Sequence, residues 1–287
     1  MYFTKGVRYM LISGFFFALM NVFVKLIPDI PSWEVVFFRS VITLIICLGY
    51  LRYFKIYIWG NRKKFLVLRG LFGAGSLIFY FELLQRVPLA GATTIFFLAP
   101  IFTNIIGTFI VREKVYPMQW LFFLISFGGI LLVKGFDTRI SPVDLLIGIT
   151  TSVFSGFAQN YVRKLGSSEN PMVIILYFPM MTIPITGVIS AITWKVPVQY
   201  DWILLILIGV FTQVAQYFMT KAYQEEKISR VANLQYINIV YALLFGFFIF
   251  HETFNLLSYL GMFLAVAGVL MNLLYKKALS PASHSAN

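Results

Sequence analysis

Four ionisable side chains, Lys25, Glu34, Arg39 and Glu82, fall inside or at the edge of strongly apolar sequence. A charge at the centre of a spanning helix costs about 2.5–3.5 kcal/mol on insertion scales, so each needs a partner or a task. Arg39 sits roughly 1.5 turns into the second apolar run, counted at 3.6 residues per turn. Glu34 opens that run, Glu82 lies near the end of the third, and Lys25 closes the first. The four share a similar depth, and Arg39 is expected to pair with Glu82 or Glu34. Glu34, Arg39 and Glu82 then read as an outer charged gate or a clamp for a charged solute. They read equally as a structural ion pair, or Arg39 snorkels to the surface.

A second set is uncharged. Asn21, Tyr80, Asn104, Gln159, Asn160, Gln213, Gln216, Gln235, Tyr236, Asn238 and Tyr241 all sit within apolar runs. Gln213 and Gln216 are three apart and share a helix face; Gln235 and Asn238 do the same, and Tyr241 continues that face. Amide and phenol groups striped through hydrocarbon suit a small solute with donors and acceptors. The competing reading is hydrogen bonding between helices, worth about 0.6 kcal/mol on average. Pro100, Pro179 and Pro184 lie inside the fourth and seventh runs and are candidate hinges, because proline removes a backbone donor and kinks a helix. Small residues such as Gly70, Gly73, Gly128, Gly129, Gly261 and Ala265 fit close helix contacts. His251 reads best as a solvated histidine beside Glu252.

Enzymatic signatures are missing. There is no HExxH, GxSxG or CxxC, and Gly73-Ala74-Gly75 lies within an apolar run rather than after a strand. The single Cys47 gives neither a disulfide framework nor a thiol metal site. No cofactor or metal is expected, and no nucleotide-hydrolysing segment is present to drive work. Any work the chain does on a solute would then draw on an ion gradient, a proton gradient included, or on the solute gradient itself.

The elements that hold these residues follow from composition. The chain has 287 residues, 60% hydrophobic and 12% charged. So few charges cannot cover a soluble core, and lipid is the natural solvent. Ten apolar runs are long enough to cross a bilayer, at about 9–27, 34–52, 68–86, 91–111, 117–134, 143–163, 171–194, 201–220, 232–251 and 256–275. The sequence matches itself at an offset of 139 residues: Asn21 on Asn160, Lys25 on Lys164, Gly70 on Gly209, Gln85 on Gln224, Gly107 on Gly246, Glu113 on Glu252, Gly129 on Gly268. Two copies result, 8–134 and 145–275, followed by a short tail at 276–287. Five spans is an odd number, so the second copy enters from the opposite face and the repeats are inverted.

Basic residues set the orientation. With the N-terminus inside, 17 Lys and Arg lie in cytoplasmic segments, Arg69 among them, against 5 on the other side. Both termini are therefore expected in the cytoplasm of a bacterial inner or plasma membrane. The net charge of +12 reflects these membrane-flanking segments and not a nucleic-acid partner.

The whole chain resembles the EamA-type members of the drug/metabolite transporter superfamily. The resemblance rests on the five-plus-five repeat and on the phrase closing each copy: Leu98-Ala99-Pro100, Gly107, Glu113 and Gly128-Gly129-Ile130-Leu131-Leu132 in the first, Gly246, Glu252 and Ala267-Gly268-Val269-Leu270 in the second. It implies an all-α integral membrane protein of ten helices, with the third, fourth, sixth, eighth and ninth spans around a central cavity. It also implies a secondary transporter working by alternating access, with a small polar or amphipathic metabolite as partner and an amino acid or related amine as the first candidate. A membrane scaffold and a membrane-embedded enzyme are the alternatives. Copy-one counterparts of the polar stripe, Ala74, Leu77, Phe96, Ala99 and Phe102, are apolar, so a lopsided cavity is expected. Glu113 and Glu252 read as fold markers at helix ends.

Overall fold

A computed structural model describes residues 5–110, 117–136, 139–225 and 237–278. Among them every regular element is helical: α1 (Lys5–Lys25), α2 (Ser32–Tyr53), α3 (Lys63–Arg86), α4 (Leu89–Phe96), α5 (Ala99–Ile110), α6 (Pro117–Phe136), α7 (Pro142–Leu165), α8 (Pro171–Ile192), α9 (Tyr200–Glu225), α10 (Ile237–Phe250) and α11 (Leu256–Ala278), plus one 3₁₀ turn, Gly166–Ser168. Six helical segments are long and apolar enough to cross a membrane, counting Leu89–Ile110 as one. The helices start where local chemistry stops the preceding loop. Ser141 and Asp144 form a reciprocal capping box ahead of α7, and the Asn170 side chain accepts from Met172 N ahead of α8. Proline sits at the first helical position of both.

Helix contacts come in pairs that exchange when each helix is replaced by its counterpart 139 residues along. α1 packs on α9 and α3 on α7; α5 on α7 and α1 on α10; α3 on α8 and α2 on α9. The α2–α8 and α6–α11 contacts map onto themselves. Directions alternate accordingly. Lys25 at the end of α1 bonds Val87 O at the end of α3, and Lys195 N, after α8, donates to Glu34 at the start of α2. At the other end, Arg62 before α3 reaches Lys164 O at the end of α7, and Tyr9 of α1 meets Phe218 of α9. So α1 runs towards one end of the bundle, and its counterpart α7 runs away from it.

The two ends are unlike. One holds the basic segments around Lys55, Arg62–Lys64 and Lys164 and is called here the basic end. At the far end one continuous core joins both halves of the sequence, with Val24, Ile27, Ile30, Phe81, Leu84, Val87 and Leu89 packed together with Ala242 and Met262. Towards the basic end the described residues form two separate clusters, one around Cys47, Leu51, Leu66 and Val173, the other around Met10, Met219 and Ala222. Exposed aromatics ring both ends, Tyr53, Tyr57 and Trp59 at one and Trp194, Tyr200 and Trp202 at the other. Amphipathic rings favour the membrane–water boundary.

Two expectations about helix shape change. The fourth run is not one helix: it stops at Phe96 and restarts at Ala99. Pro100 lies in the first turn of α5, where its missing N–H is harmless, rather than inside a kinked helix. The buried Ser152 hydroxyl of α7 lies 3.4 Å from the Phe96 carbonyl and 3.4 Å from that of Ile95 at the interruption. By contrast, Pro179 and Pro184 lie inside an unbroken α8. Small residues act as close contacts where α6 crosses α11: a Cβ on Gly129 would come 2.5 Å from Ala265 N. Gly128, next to it, faces open space.

Candidate functional site: buried charge and unpartnered amides

The far end carries a partly buried ion pair that spans the two halves of the sequence. Lys25 Nζ lies 2.7 Å from Glu252 Oε1 and donates to Val87 O at 2.8 Å. The Glu252 carboxylate also accepts from Leu89 N, the first backbone donor of α4. A helix N-terminus leaves such donors unpaired and favours negative charge there. Glu252 thus neutralises Lys25 and caps α4 at once. The other acidic groups described at this end are also engaged, Asp144 by Ser141 N and Asp201 by Val198 N. Glu34 is fully buried and accepts from Lys195 N. Glu82 bonds Arg86, at 2.5 Å, and the Ser32 hydroxyl, and Asp29 faces Lys195 at 3.4 Å.

This corrects the pairing expected of Arg39. Arg39 pairs with neither Glu82 nor Glu34. Its Nε donates to Thr212 Oγ1 of α9 at 2.9 Å, and its guanidinium lies over the rings of Phe81 and Phe178 at 5.4 Å from each centroid. Arg39 does not snorkel either; it is 3% exposed. The reason is direction. Arg39 lies on the face of α2 that packs against α3, α8 and α9, while Glu82 turns to the end of its own helix, where Arg86 is one turn away.

Arg69 is the functional candidate that sequence reasoning missed. The basic-residue count assigns it to a cytoplasmic segment at the start of the third run, yet it is 5% exposed and its guanidinium lies 5.0 Å from the Phe178 centroid. A Cβ on Gly73, one turn along α3, would strike Arg69 Nη1 and come 2.6 Å from the Phe178 ring. The glycine makes the room in which the arginine lies. The available signal was the pair Arg69 and Gly73 at i, i+4, a cation beside a missing side chain.

The amides divide by environment. Asn21 Nδ2 donates to Tyr80 OH at 2.9 Å, and the Tyr80 ring packs on Phe96 at 4.8 Å. Asn160, its counterpart, donates to the carbonyls of Thr103 and Gly156, both at 2.9 Å, and so ties α7 to α5. Gln213 turns away from α10: its Nε2 lies 3.3 Å from Cys47 Sγ and 3.3 Å from Met172 Sδ, between α2 and α8. Tyr241 stacks edge-on with Phe15 of α1 at 6.0 Å. Gln213, Gln216, Asn238 and Asn21 each keep a buried side-chain oxygen with no hydrogen-bond partner among the described residues. Gln159 is half-buried on α7. Gln235, Tyr236 and Glu113 lie outside the described residues, as do the side chains of Asn104 and Pro100. No group of three metal-ligating side chains occurs among the described residues.

Comparisons with known proteins fit this build. The sequence profile of the EamA-like transporter family matches residues 4–135 and again residues 143–274. The pseudopaline exporter CntI of Pseudomonas aeruginosa is 28% identical over 263 residues, covering 90% of this chain and 92% of its own. Human solute carrier family 35 member G1 is 29% identical over 265 residues, covering 86% of this chain and 73% of its own. One crystal structure shares the fold at a TM-score of 0.66 and 16% identity, covering 94% of this chain and 98% of that one. Two profile matches, spanning nearly the whole of a chain built from apolar helices, settle the class: the chain belongs to the EamA-like transporter family, a multi-pass membrane transporter and not an enzyme.

Proposed function

We propose that the protein is a secondary transporter with ten spans, arranged as inverted five-helix repeats at 8–134 and 145–275. It moves a small polar or amphipathic metabolite by alternating access, with the basic end and both termini in the cytoplasm. The observation that carries this reading is the unequal closure of the two ends. A single core plus the Lys25–Glu252 pair joins the two halves at the far end, while among the described residues the core is divided towards the basic end. Exchange of contacts between the copies supplies the two related arrangements that alternating access needs.

The solute proposed first is an amino acid or related amine. Asn21, Gln213, Gln216 and Asn238 present buried, unpartnered amide oxygens, which an ammonium group would satisfy. Tyr80, Asn104, Gln159, Asn160, Gln235 and Tyr241 are assigned to the same path, and Pro100, Pro179 and Pro184 to its hinges. The test is uptake and efflux of a labelled amino-acid and amine panel in proteoliposomes, with and without a pH gradient. Saturable flux above protein-free vesicles is expected. Asn238→Ala should weaken it by the net worth of one hydrogen bond, about 0.5–1.5 kcal/mol. Flux indistinguishable from empty vesicles across the panel rejects the reading.

A further inference from the structure

Lipid-embedded proteins neutralise a buried cation with a carboxylate when they can. This one leaves two without. Arg39 and Arg69 both lie against Phe178, on neighbouring antiparallel helices, close enough for their charges to repel. Arg39 Nη1 and Arg69 Nε and Nη1 are buried donors with no acceptor among the described residues. Two hydroxyls beside Arg39 on α2, Ser40 Oγ and Thr43 Oγ1, are also buried and unpaired. Every acidic group among the described side chains sits in a loop or within about a turn of a helix end; Glu82 and Glu252 have cationic partners, and Glu34 accepts from Lys195 N and keeps its Oε1 buried and unpaired. The net result is two positive charges and several unpaired donors inside the bundle, with no ion-pair partner for either arginine among the described residues.

Guanidinium groups are planar forks that match oxyanions, and hydrogen bonds between two charged groups are the strong ones. We infer that Arg39 and Arg69 form a binding site for an organic dianion, a group of two carboxylates or a phosphate ester carried by the transported solute. Phe178 holds both guanidiniums by its faces while they are empty, a cation–π contact that needs no acid. Thr212 fixes Arg39 from α9, and Gly73 leaves Arg69 the space to lie beside the ring. α2 and α3 belong to one repeat, Phe178 and Thr212 to the other. An anion between the arginines therefore bears on contacts that must change in alternating access. The inference deepens the proposed transport reading: the cargo is acidic, such as an amino acid with a second carboxylate.

The test separates binding from transport. Purified full-length protein in detergent is melted with succinate, glutamate, citrate, inorganic phosphate or glycerol phosphate, against chloride and lysine at equal ionic strength. At least one dianion is expected to raise the melting temperature in a saturable way, and chloride and lysine are expected not to. Arg39→Lys and Arg69→Lys keep the charge and lose the fork; each should weaken that binding about tenfold or more. Stabilisation by dicarboxylates alone or by phosphates alone decides which source fits. No shift with any of the five anions overturns the site, whatever the proteoliposomes carry. So does a shift that both lysine variants retain in full. Anion binding without flux would keep the site and remove the transport reading. Flux of neutral or cationic solutes without anion binding would do the reverse.

Discussion

One half-buried lysine has its carboxylate; two buried arginines have none among the described residues. Lys25 and Glu252 meet at the far end with backbone groups of the α3–α4 turn completing the shell. Arg39 and Arg69 lie deeper, held by aromatic faces and one threonine, with donors to spare. Both arrangements place positive charge in an apolar bundle, yet they solve different problems. The paired site is complete and ties together two halves of the chain, as a seal must. The unpaired site is incomplete, as a place for a ligand must be.

The sharpest way to break this comparison is to remove one member of the pair. Lys25→Met leaves the buried Glu252 carboxylate without its cation and should cost on the order of 3–5 kcal/mol, the usual penalty for a stranded charge. The loss would be read from thermal melting of purified protein. The double variant Lys25→Met, Glu252→Gln should recover most of it. If the single change is harmless, the far-end pair is not a seal.

Next in size is Gly73→Ala. The added methyl meets the Phe178 ring and Arg69 Nη1, and overpacking of this kind costs about 1–3 kcal/mol. Combining it with Arg69→Met, whose thioether can bend aside, should relieve the Arg69 part of the clash and leave the Phe178 part. An unrelieved double variant would locate the strain elsewhere.

Arg39→Met supplies the contrast in sign. No carboxylate is stranded, and the removal of a buried charge offsets the lost cation–π contacts, worth about 0.5–2 kcal/mol in desolvated settings. Stability should stay level or rise, opposite to Lys25→Met. A loss above about 3 kcal/mol, the size expected for a broken buried pair, would mean that Arg39 has an acid partner after all. Smallest is Thr212→Val, which removes the hydrogen bond to Arg39 Nε. It should cost about 0.6 kcal/mol, the average for a hydrogen bond between helices in a membrane, and it should weaken dianion stabilisation along with it.

The repeat explains why so much of the fold was legible. Asn21 with Asn160, Gly129 with Gly268 and Glu113 with Glu252 fall into register at one offset. Such matches are rare by chance in a chain of Phe and Leu. The helices themselves followed from run length, because lipid admits no backbone whose polar groups are left unpaired. The break at Phe97 and Leu98 was not legible: Pro100 marked the place, but a kinked helix and two helices satisfy the same local rule.

The candidate site was less readable than its scaffold. Asn21 and Asn160 are matched in sequence, yet one meets a tyrosine hydroxyl and the other two backbone carbonyls. The two copies offer them different neighbours. Arg39 was visible as a buried charge because it interrupts apolar sequence. Its partner was not, because ion pairing depends on which way helices separated by tens of residues turn. Arg69 was hidden altogether by three basic neighbours at 62–64. Composition, run length and repetition thus determined by themselves that this chain is a repeated helical bundle in lipid, since those are properties of the chain against its solvent. Which charges meet, which stay unpaired and which end is sealed only the packing decided. Those are distances between residues that the chain order leaves far apart.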